Sequence, residues 1–259
     1  MAYQSLQYTV EEQVATLTLN RPETLNALTD ELLADLGEAV KQAERDRDVR
    51  VVILTGRGRG FCSGQDLKSF GEGGRDIAGH LDRYYHPLIR RLANLEKPTI
   101  AMINGVAAGA GMSLAVACDI RIAAEGARFS QAFVRIGLVP DSGSSYFLPR
   151  LIGYSRALEM AMTGMMIDHQ TALEWRLVNR VVPQANLERV TYELARELAS
   201  GPPLALGMIK RQMAYGASHN LNDSLEREKD FQVQAAQTED HRNAVEAFFA
   251  KKPPAFEGR

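Results

Sequence analysis

The first half of the chain alternates short apolar runs with segments of helical spacing. Val14–Asn20 alternates apolar and polar residues, as a half-buried strand does. Pro22 is expected to end this strand, because proline has no N–H to donate to a neighbouring strand. Thr29 is expected to cap a helix whose leucines recur on one face. Val51–Leu54 is a continuous apolar run, typical of a strand that is covered on both faces.

The alternation continues through the middle of the chain. Leu81–Leu95 has helical spacing, and Thr99–Ile103 predicts a strand that ends in an Asn104–Gly105 turn. Gly109–Ala117 predicts a buried helix of small residues, and Asp119–Ala123 predicts a further strand. Strands that alternate with helices indicate an α/β fold with crossover connections.

The second half is expected to be helical, with no strong strand signal after Val181–Val182. Asp168 and Asp240 are candidate helix caps. A helical C-terminal third of this kind favours packing against a partner subunit. The predicted helices are Arg156–Thr163, Asp168–Trp175, Leu187–Ser200, Pro203–Tyr215, Leu221–Gln237 and Glu239–Phe249.

Composition narrows the class of protein. A chain of 259 residues suits one large domain, or one domain with an appendage. Its 45% hydrophobic and 24% charged residues are ordinary for a globular protein. A net charge of −2 shows that the chain lacks the overall excess of Lys and Arg that is typical of a nucleic-acid-binding protein. The same small charge argues against an acidic disordered protein.

Cysteine usage and the N-terminus indicate the cytoplasm. Cys62 and Cys118 form no CxxC pair and cannot build a disulfide framework. Met1–Tyr8 lacks the charged and apolar regions of a signal peptide. Ile100–Cys118 is about as long as a membrane span, but its polar residues and glycines favour a buried strand, turn and helix.

Two glycine-rich turns are candidates for binding a ligand through their backbone N–H groups. Gly56–Gly64 follows a strand but matches neither the phosphate-binding loop nor the dinucleotide-binding pattern. Gly109–Gly111 leads into a helix, where backbone N–H groups are unpaired. One N–H from each turn could hold a carbonyl oxygen as it becomes an oxyanion. A plain surface turn and close helix packing are the structural alternatives.

Asp141 and His86 are the candidate titratable groups. Asp141 lies among apolar and turn residues, where a carboxylate can have a raised pKa and act as a base. The alternative is a cap for a helix over Ser144–Leu151. His86 could equally be an ordinary core or surface histidine. No cluster has metal-ligand spacing, and no G-x-S-x-G motif occurs.

Several runs in the same order resemble the crotonase, or enoyl-CoA hydratase/isomerase, superfamily. They are LNRPETLNAL, VVILTGRGRGFCSGQDL, KPTIAMINGVAAGAGMSLAVACDIRIAAEGARF, IGLVPDSG and AFFAKKPPAF. The resemblance implies stacked β-β-α turns over residues 1–199, with a C-terminal helical trimerisation region over residues 200–259. It also implies homotrimers or pairs of trimers, and no nucleic-acid or membrane partner is expected.

The resemblance implies an acyl-CoA thioester substrate, whose enolate is held by the backbone N–H groups of Gln65 and Ala110. Phe248 and Lys251 fall where an aromatic and a basic residue meet coenzyme A, often from a neighbouring subunit. No metal or redox cofactor is implied, since coenzyme A arrives as part of the substrate. The other residues expected along the site are Leu25, Ala27, Ser63, Gly64, Asp66, Leu67, Gly109, Ser113 and Phe133.

Departures from the family pattern bear on the reaction. Ser113 and Phe133 occupy the positions of the two hydratase glutamates, so a typical two-glutamate hydratase is not expected. Asp141 lies where the ring-1,2-epoxyphenylacetyl-CoA isomerases and the 4-chlorobenzoyl-CoA dehalogenases keep a catalytic aspartate. The run FSQAFVRIGLVPDSG, with YHPLIRRL upstream, resembles the isomerases more closely. His86, however, matches the dehalogenase histidine that activates water.

The expected function is therefore an acyl-CoA isomerase of phenylacetate or fatty-acid catabolism, with Asp141 moving a proton between C2 and C4. A dehalogenase-like hydrolase with Asp141 as nucleophile, an enoyl-CoA hydratase and a non-catalytic CoA-binding scaffold are the alternatives. The acyl group is not specified by the sequence. The depth of its pocket is expected to depend on Phe70–Tyr85, a glycine-rich segment that is predicted to be irregular.

Overall fold

Strands from two sheets alternate along the chain in a computed structural model that describes residues 3–68 and 76–259. The strands are β1 (Leu6–Glu11), β2 (Val14–Leu19), β3 (Val51–Gly56), β4 (Gly60–Cys62), β5 (Thr99–Ile103), β6 (Val106–Ala108), β7 (Ile120–Ala124), β8 (Arg128–Ser130), β9 (Met166–Asp168) and β10 (Arg180–Val182). The six-stranded sheet has the order β1-β2-β3-β5-β7-β10, and the four-stranded sheet has the order β4-β6-β8-β9.

The helices follow the strands in sequence. They are α1 (Asp30–Arg45), α2 (Ile77–His80), α3 (His86–Asn94), α4 (Ala110–Ala117), α5 (Ser144–Ile152), α6 (Tyr154–Thr163), α7 (His169–Glu174), α8 (Leu187–Ala199), α9 (Pro203–Gly216), α10 (Leu221–Ala236) and α11 (Glu239–Phe249). A π-helical turn over Leu81–Tyr85 joins α2 to α3. No helix within the described residues is long and apolar enough to cross a membrane.

Each turn of the chain adds one strand to each sheet. β3, β5 and β7 pair in parallel in the large sheet, while β4, β6 and β8 pair in parallel in the small sheet. Parallel strands require crossovers, which α1, α3 and α4 help to supply. This arrangement confirms the expected α/β fold of stacked β-β-α turns.

The core explains why the longer elements were predictable. Every residue of β3 and β5 is buried, as expected for strands covered on both faces. On one side α1 buries Leu32, Leu33 and Leu36 in the main core, and on the other α8 packs over the large sheet. The Thr29 hydroxyl accepts a hydrogen bond from the Leu32 N–H, which confirms the predicted cap.

The structure corrects one predicted cap and fails to support another. The cap of α11 is Thr238, whose side chain accepts from the His241 N–H. Asp240 lies inside the helix and accepts the N–H groups of Glu257 and Gly258 instead, so its carboxylate fixes the C-terminal tail. The residue before α5 is Gly143, with no side-chain cap, so the capping alternative for Asp141 is wrong.

The segment that was predicted to be irregular is largely helical where it is described. Asp76 caps α2 by accepting the Gly79 N–H, and the helical path then runs through the π-turn into α3. Residues 70–75 of that segment lie outside the described residues.

Candidate active site

Two turns meet at the carboxyl ends of β4 and β6. These strands are parallel neighbours, so the chain leaves both at the same edge of the small sheet. Gly64 has a φ of +95°, and a Cβ built on it would lie 2.9 Å from the Ala108 carbonyl oxygen and 3.5 Å from the Ala110 nitrogen. A Cβ on Gly111 would lie 2.3 Å from the Cys62 carbonyl oxygen. Glycine is therefore needed on both sides of the contact.

The contact leaves two backbone donors without acceptors. The Leu28 N–H donates to the Gly64 carbonyl and the Asp66 N–H donates to the Leu28 carbonyl, so the Gln65 N–H points away from Leu28. Ala110 is the first residue of α4, where an N–H has no intrahelical acceptor. Within residues 3–68 and 76–259, neither N–H donates to a protein acceptor. Two such donors on adjoining turns can bind one developing oxyanion.

Asp141 lies in the loop that precedes α5, half-buried beside Ser142. The Ser142 hydroxyl donates to Asp141 Oδ1 at 2.8 Å, and the Ser142 backbone has a φ of +52°, a strained value for a residue with a side chain. Burial raises the pKa of Asp141, while the Ser142 hydrogen bond and the charge of His86 lower it. A carboxyl with a raised pKa is better matched to proton transfer near neutral pH than an ordinary aspartate.

His86 lies near Asp141 at the start of α3. Its Nδ1 is 2.9 Å from Asp82 Oδ1, one turn earlier on the same helical path. The side chain is 38% exposed, so solvent reaches the ring. A positive charge on it lowers the pKa of Asp141. Sequence reasoning identified His86 but missed Asp82, although the i,i+4 spacing of the two residues was a usable signal.

The two positions that the family resemblance assigns to hydratase glutamates hold no acid. Ser113 is completely buried, and its hydroxyl contacts Ser144 Oγ at 2.7 Å and the Asp141 carbonyl oxygen at 3.3 Å. Phe133 is also buried, and its ring lies 4.0 Å from where a Gly109 Cβ would be. The Ser113 hydroxyl is also 3.2 Å from the Gly109 carbonyl oxygen, so it lies between the turn before α4 and the backbone of Asp141, and Phe133 covers that turn.

Some of the residues that the family resemblance assigns to coenzyme A binding lie together, in the loop before α1 and the turn after β4. The Ser63 N–H donates to the Leu25 carbonyl at 3.0 Å, which joins the loop before α1 to the turn after β4. Arg21 links both sides, because its guanidinium contacts the Ala27 carbonyl oxygen and Asp66 Oδ2.

The same loop contains one exposed residue that was expected at the site and one buried residue that was not. Leu67, which follows Asp66, is exposed. Asn26 is fully buried, and its amide donates to the carbonyl oxygens of Arg57 and Gly60. Together with Arg21, Asn26 organises this loop, and neither was singled out from the sequence.

Phe248 and Lys251 lie elsewhere in this single chain, at the end of α11. Phe248 is 78% exposed, Lys251 is exposed, and α11 packs against α10. In the described part of the chain no hydrogen bond or ion pair joins either side chain to Gln65, Ala110 or Asp141. Their contact with the coenzyme from a neighbouring subunit stays a prediction.

A buried tyrosine completes the arrangement and was also missed. Tyr85, at the end of the π-turn, donates its hydroxyl proton to Gln65 Oε1 at 2.5 Å. The bond ties the turn after β4 to the helical segment that carries His86. The two residues are 20 apart in the chain, so no local pattern points to their contact. Across the described residues, no group of three or more His, Cys, Asp or Glu side chains is placed to hold a metal.

Known proteins resemble this chain along most of its length. Residues 9–259 match the model of the enoyl-CoA hydratase/isomerase family. The chain is 44% identical to the 1,2-epoxyphenylacetyl-CoA isomerase of Escherichia coli (strain K12), covering 96% of this chain and 97% of that protein. It is 38% identical to a 4-chlorobenzoyl coenzyme A dehalogenase of Arthrobacter, covering 83% and 79% respectively. The crystal structure of an enoyl-CoA hydratase from Bacillus anthracis superposes with a TM-score of 0.95 at 34% identity, covering 99% of this chain and 100% of that one.

Proposed function

The chain belongs to the enoyl-CoA hydratase/isomerase family, and from that premise we propose that it is an acyl-CoA isomerase working through a thioester enolate. The observation that carries the proposal is the half-buried carboxylate of Asp141, with non-acidic Ser113 and Phe133 at the positions that the family resemblance assigns to the hydratase glutamates. One carboxylate can move a proton between two carbons, whereas adding water uses a pair of acids.

The backbone N–H groups of Gln65 and Ala110 are proposed to hold the thioester oxygen. Negative charge grows on that oxygen when the C2 proton leaves, so donors fixed in advance stabilise the transition state more than the ground state. Ala110 also begins α4, whose dipole favours negative charge at its N-terminus. Donors supplied by the backbone do not depend on side-chain identity, which accommodates glutamine and alanine at these positions.

Asp141 is proposed to perform both proton steps. Its carboxylate takes the C2 proton, and the electron pair left behind is delocalised onto the thioester oxygen as the enolate. Return of the proton to C4 moves the double bond from C3–C4 to C2–C3 and regenerates the carboxylate. With a ring epoxide, the same stabilised site assists ring expansion to the oxepin thioester. The buried side chain of Phe133 helps to exclude water that would compete for the proton.

Replacement of Asp141 tests this assignment. Asp141→Asn keeps the shape and removes the base, so we expect turnover of a 3-enoyl-CoA and of 1,2-epoxyphenylacetyl-CoA to fall about 10²–10⁴-fold. Coenzyme A binding should persist. Steady-state kinetics with mass detection of the products provides the measurement. Unchanged turnover of both substrates would refute the assignment, and a hydrated product from the native enzyme would favour the hydratase alternative.

A dehalogenase-like hydrolase is the second candidate, and His86 favours it. Its Nδ1 is 2.9 Å from Asp82 Oδ1, and an imidazole oriented by a carboxylate in this way suits a histidine that takes a proton from water. Repeated chloride release from 4-chlorobenzoyl-CoA that falls to a single equivalent in His86→Ala, and disappears in Asp141→Asn, would establish this reaction, because Asp141 displaces chloride to form an aryl ester and His86 activates the water that hydrolyses it. Binding of coenzyme A without turnover of any acyl-CoA would instead support a non-catalytic scaffold.

We also propose that the enzyme is cytoplasmic and works as a homo-oligomer, a trimer or a pair of trimers. Residues 200–259 form the helical trimerisation region beside the core at 1–199, and Phe248 and Lys251 reach the coenzyme of a neighbouring subunit. Exposed apolar side chains on α9, α10 and α11 support this proposal, because extended apolar surface marks sites of protein–protein contact. They include Ile209, Met213, Leu221, Leu225, Val233, Phe248 and Phe249.

A further inference from the structure

The side-chain amide of Gln65 has one end held and the other end unpaired. Oε1 accepts the hydroxyl proton of Tyr85 at 2.5 Å. Nε2 is buried and has no hydrogen-bond partner among the described residues. Buried donors in native proteins are nearly always paired, and leaving one unpaired is costly. The unpaired nitrogen therefore indicates a partner that arrives with the ligand.

The hydrogen bond to Tyr85 fixes which end of the amide is free. Tyr85 is only 2% exposed, and its ring packs edge-on against His80 with centroids 5.5 Å apart. A phenol held in this way gives its single proton to Oε1, which leaves Nε2 as a donor toward the rest of the site. The free end of Gln65 thus requires an acceptor such as an oxygen atom.

The position of this donor relative to the reaction follows from the chain. The Gln65 backbone N–H is the proposed ligand of the thioester oxygen, and the amide leaves the same Cα. The side chain extends to Tyr85, the residue before His86. The amide therefore lies one side-chain length from the proposed position of the thioester oxygen, on the side of the turn that faces the helical path through Tyr85.

We propose that Gln65 Nε2 is a specificity-determining donor that binds an oxygen atom carried by the acyl group. The inference rests on the proposed function and refines its substrate class. The enzyme selects acyl-CoA thioesters with a ring oxygen, such as an epoxide or cyclic ether, over hydrocarbon acyl groups of the same shape. A hydrocarbon group would cover the donor without pairing it, which is how a polar site rejects an analogue that lacks the matching atom.

The test uses acyl groups that differ in one atom. Cyclohexylacetyl-CoA is compared with tetrahydropyran-2-ylacetyl-CoA and tetrahydropyran-3-ylacetyl-CoA, whose ring oxygen accepts a hydrogen bond and donates none. Binding to the native protein and its variants is measured by titration calorimetry. We expect the native protein to bind at least one ether thioester about tenfold more tightly than the cyclohexyl thioester, the value of one well-placed hydrogen bond.

Three variants separate the donor from its anchor. Gln65→Met fills the same space without an amide and should abolish the preference. Gln65→Glu keeps an oxygen for Tyr85 but replaces the free donor with an acceptor, so the preference should reverse. Tyr85→Phe keeps the donor and releases its anchor, so the preference should shrink without vanishing. Thermal melting of each variant shows whether it folds.

A matched control exists far from the site. Tyr3 donates to Gln42 Oε1 at 2.9 Å, so Gln42→Met removes a similar tyrosine–glutamine bond and should leave the preference unchanged. Equal binding of all thioesters by the native protein would overturn this inference alone, as would a preference that survives in Gln65→Met. Failure to bind any of the thioesters would overturn the proposed function as well.

Discussion

At the scale of single residues, the charged form of Asp141 is expected to lower the free energy of unfolding of the protein. Burial raises its pKa, so the folded protein disfavours the charged form relative to the unfolded chain. Between the unfolded and folded pKa values the folded state binds more protons, and stability falls as pH rises through that window. Above the folded pKa the penalty is fully present, and acidification through this window relieves it.

The stability cost of this catalytic carboxylate predicts how Asp141→Asn changes activity and melting temperature. The variant should lose activity yet melt at a higher temperature than the native protein at pH 7, because the buried charge is gone while Ser142 still has an oxygen to donate to. The difference in melting temperature should shrink as the pH is lowered. Scanning calorimetry at several pH values measures it. A lower melting temperature for Asp141→Asn at pH 7 would contradict the argument.

At the scale of elements, Gly64 in the turn after β4 and Gly111 in the first turn of α4 determine whether the two turns can touch. Gly111→Ala would place a methyl group 2.3 Å from the Cys62 carbonyl oxygen, so one turn must move. We expect a destabilisation of about 1–3 kcal/mol and a fall in kcat, since the two backbone donors separate.

Gly37→Ala provides the matched control for that substitution. Gly37 lies within α1, and no atom lies within 4 Å of where its Cβ would be. Here alanine should stabilise the protein by about 0.5–1 kcal/mol, since it restricts the unfolded chain and favours the helix. Urea denaturation and steady-state kinetics of both variants provide the comparison. Native kinetics in Gly111→Ala would count against the two-turn site.

The elements that could be predicted from the sequence are those that carry their own periodicity. α1, β3 and β5 each bury a recognisable pattern of side chains, and their positions were confirmed. The three-residue strands β4, β6, β8 and β9 were missed, because three residues are too few to show an alternation.

The candidate site divides in the same way. Its glycine turns and Asp141 are local features that a sequence displays. The bond between Tyr85 and Gln65, the clamp of Arg21 on Asp66 and the role of Asn26 join distant segments, so only the folded chain reveals them. The cap predicted at Asp240 was wrong for a similar reason, because the hydrogen-bond partners of its carboxylate, Glu257 and Gly258, come from the C-terminal tail.

At the scale of the whole molecule, the apolar surface of the C-terminal helices predicts self-association. Met213 on α9 is 69% exposed, and replacing it with aspartate would place a charge in the proposed interface. We expect Met213→Asp to lower the sedimentation coefficient and to reduce affinity for acyl-CoA. Val10→Asp, at an exposed position of strand β1, is the control and should change neither. An unchanged sedimentation coefficient for Met213→Asp would show that this face is not an interface.

The contact between the turns after β4 and β6 has a consequence for how such enzymes diversify. The two proposed oxyanion donors are peptide groups, fixed by glycines and by strand pairing rather than by the side chains that touch the substrate. The residues at 113, 133 and 141 can therefore change without dismantling the charge-stabilising centre. A lineage can exchange one acid or base for another while a reactive enolate remains accessible at every step, so new chemistry need not begin from an inactive ancestor.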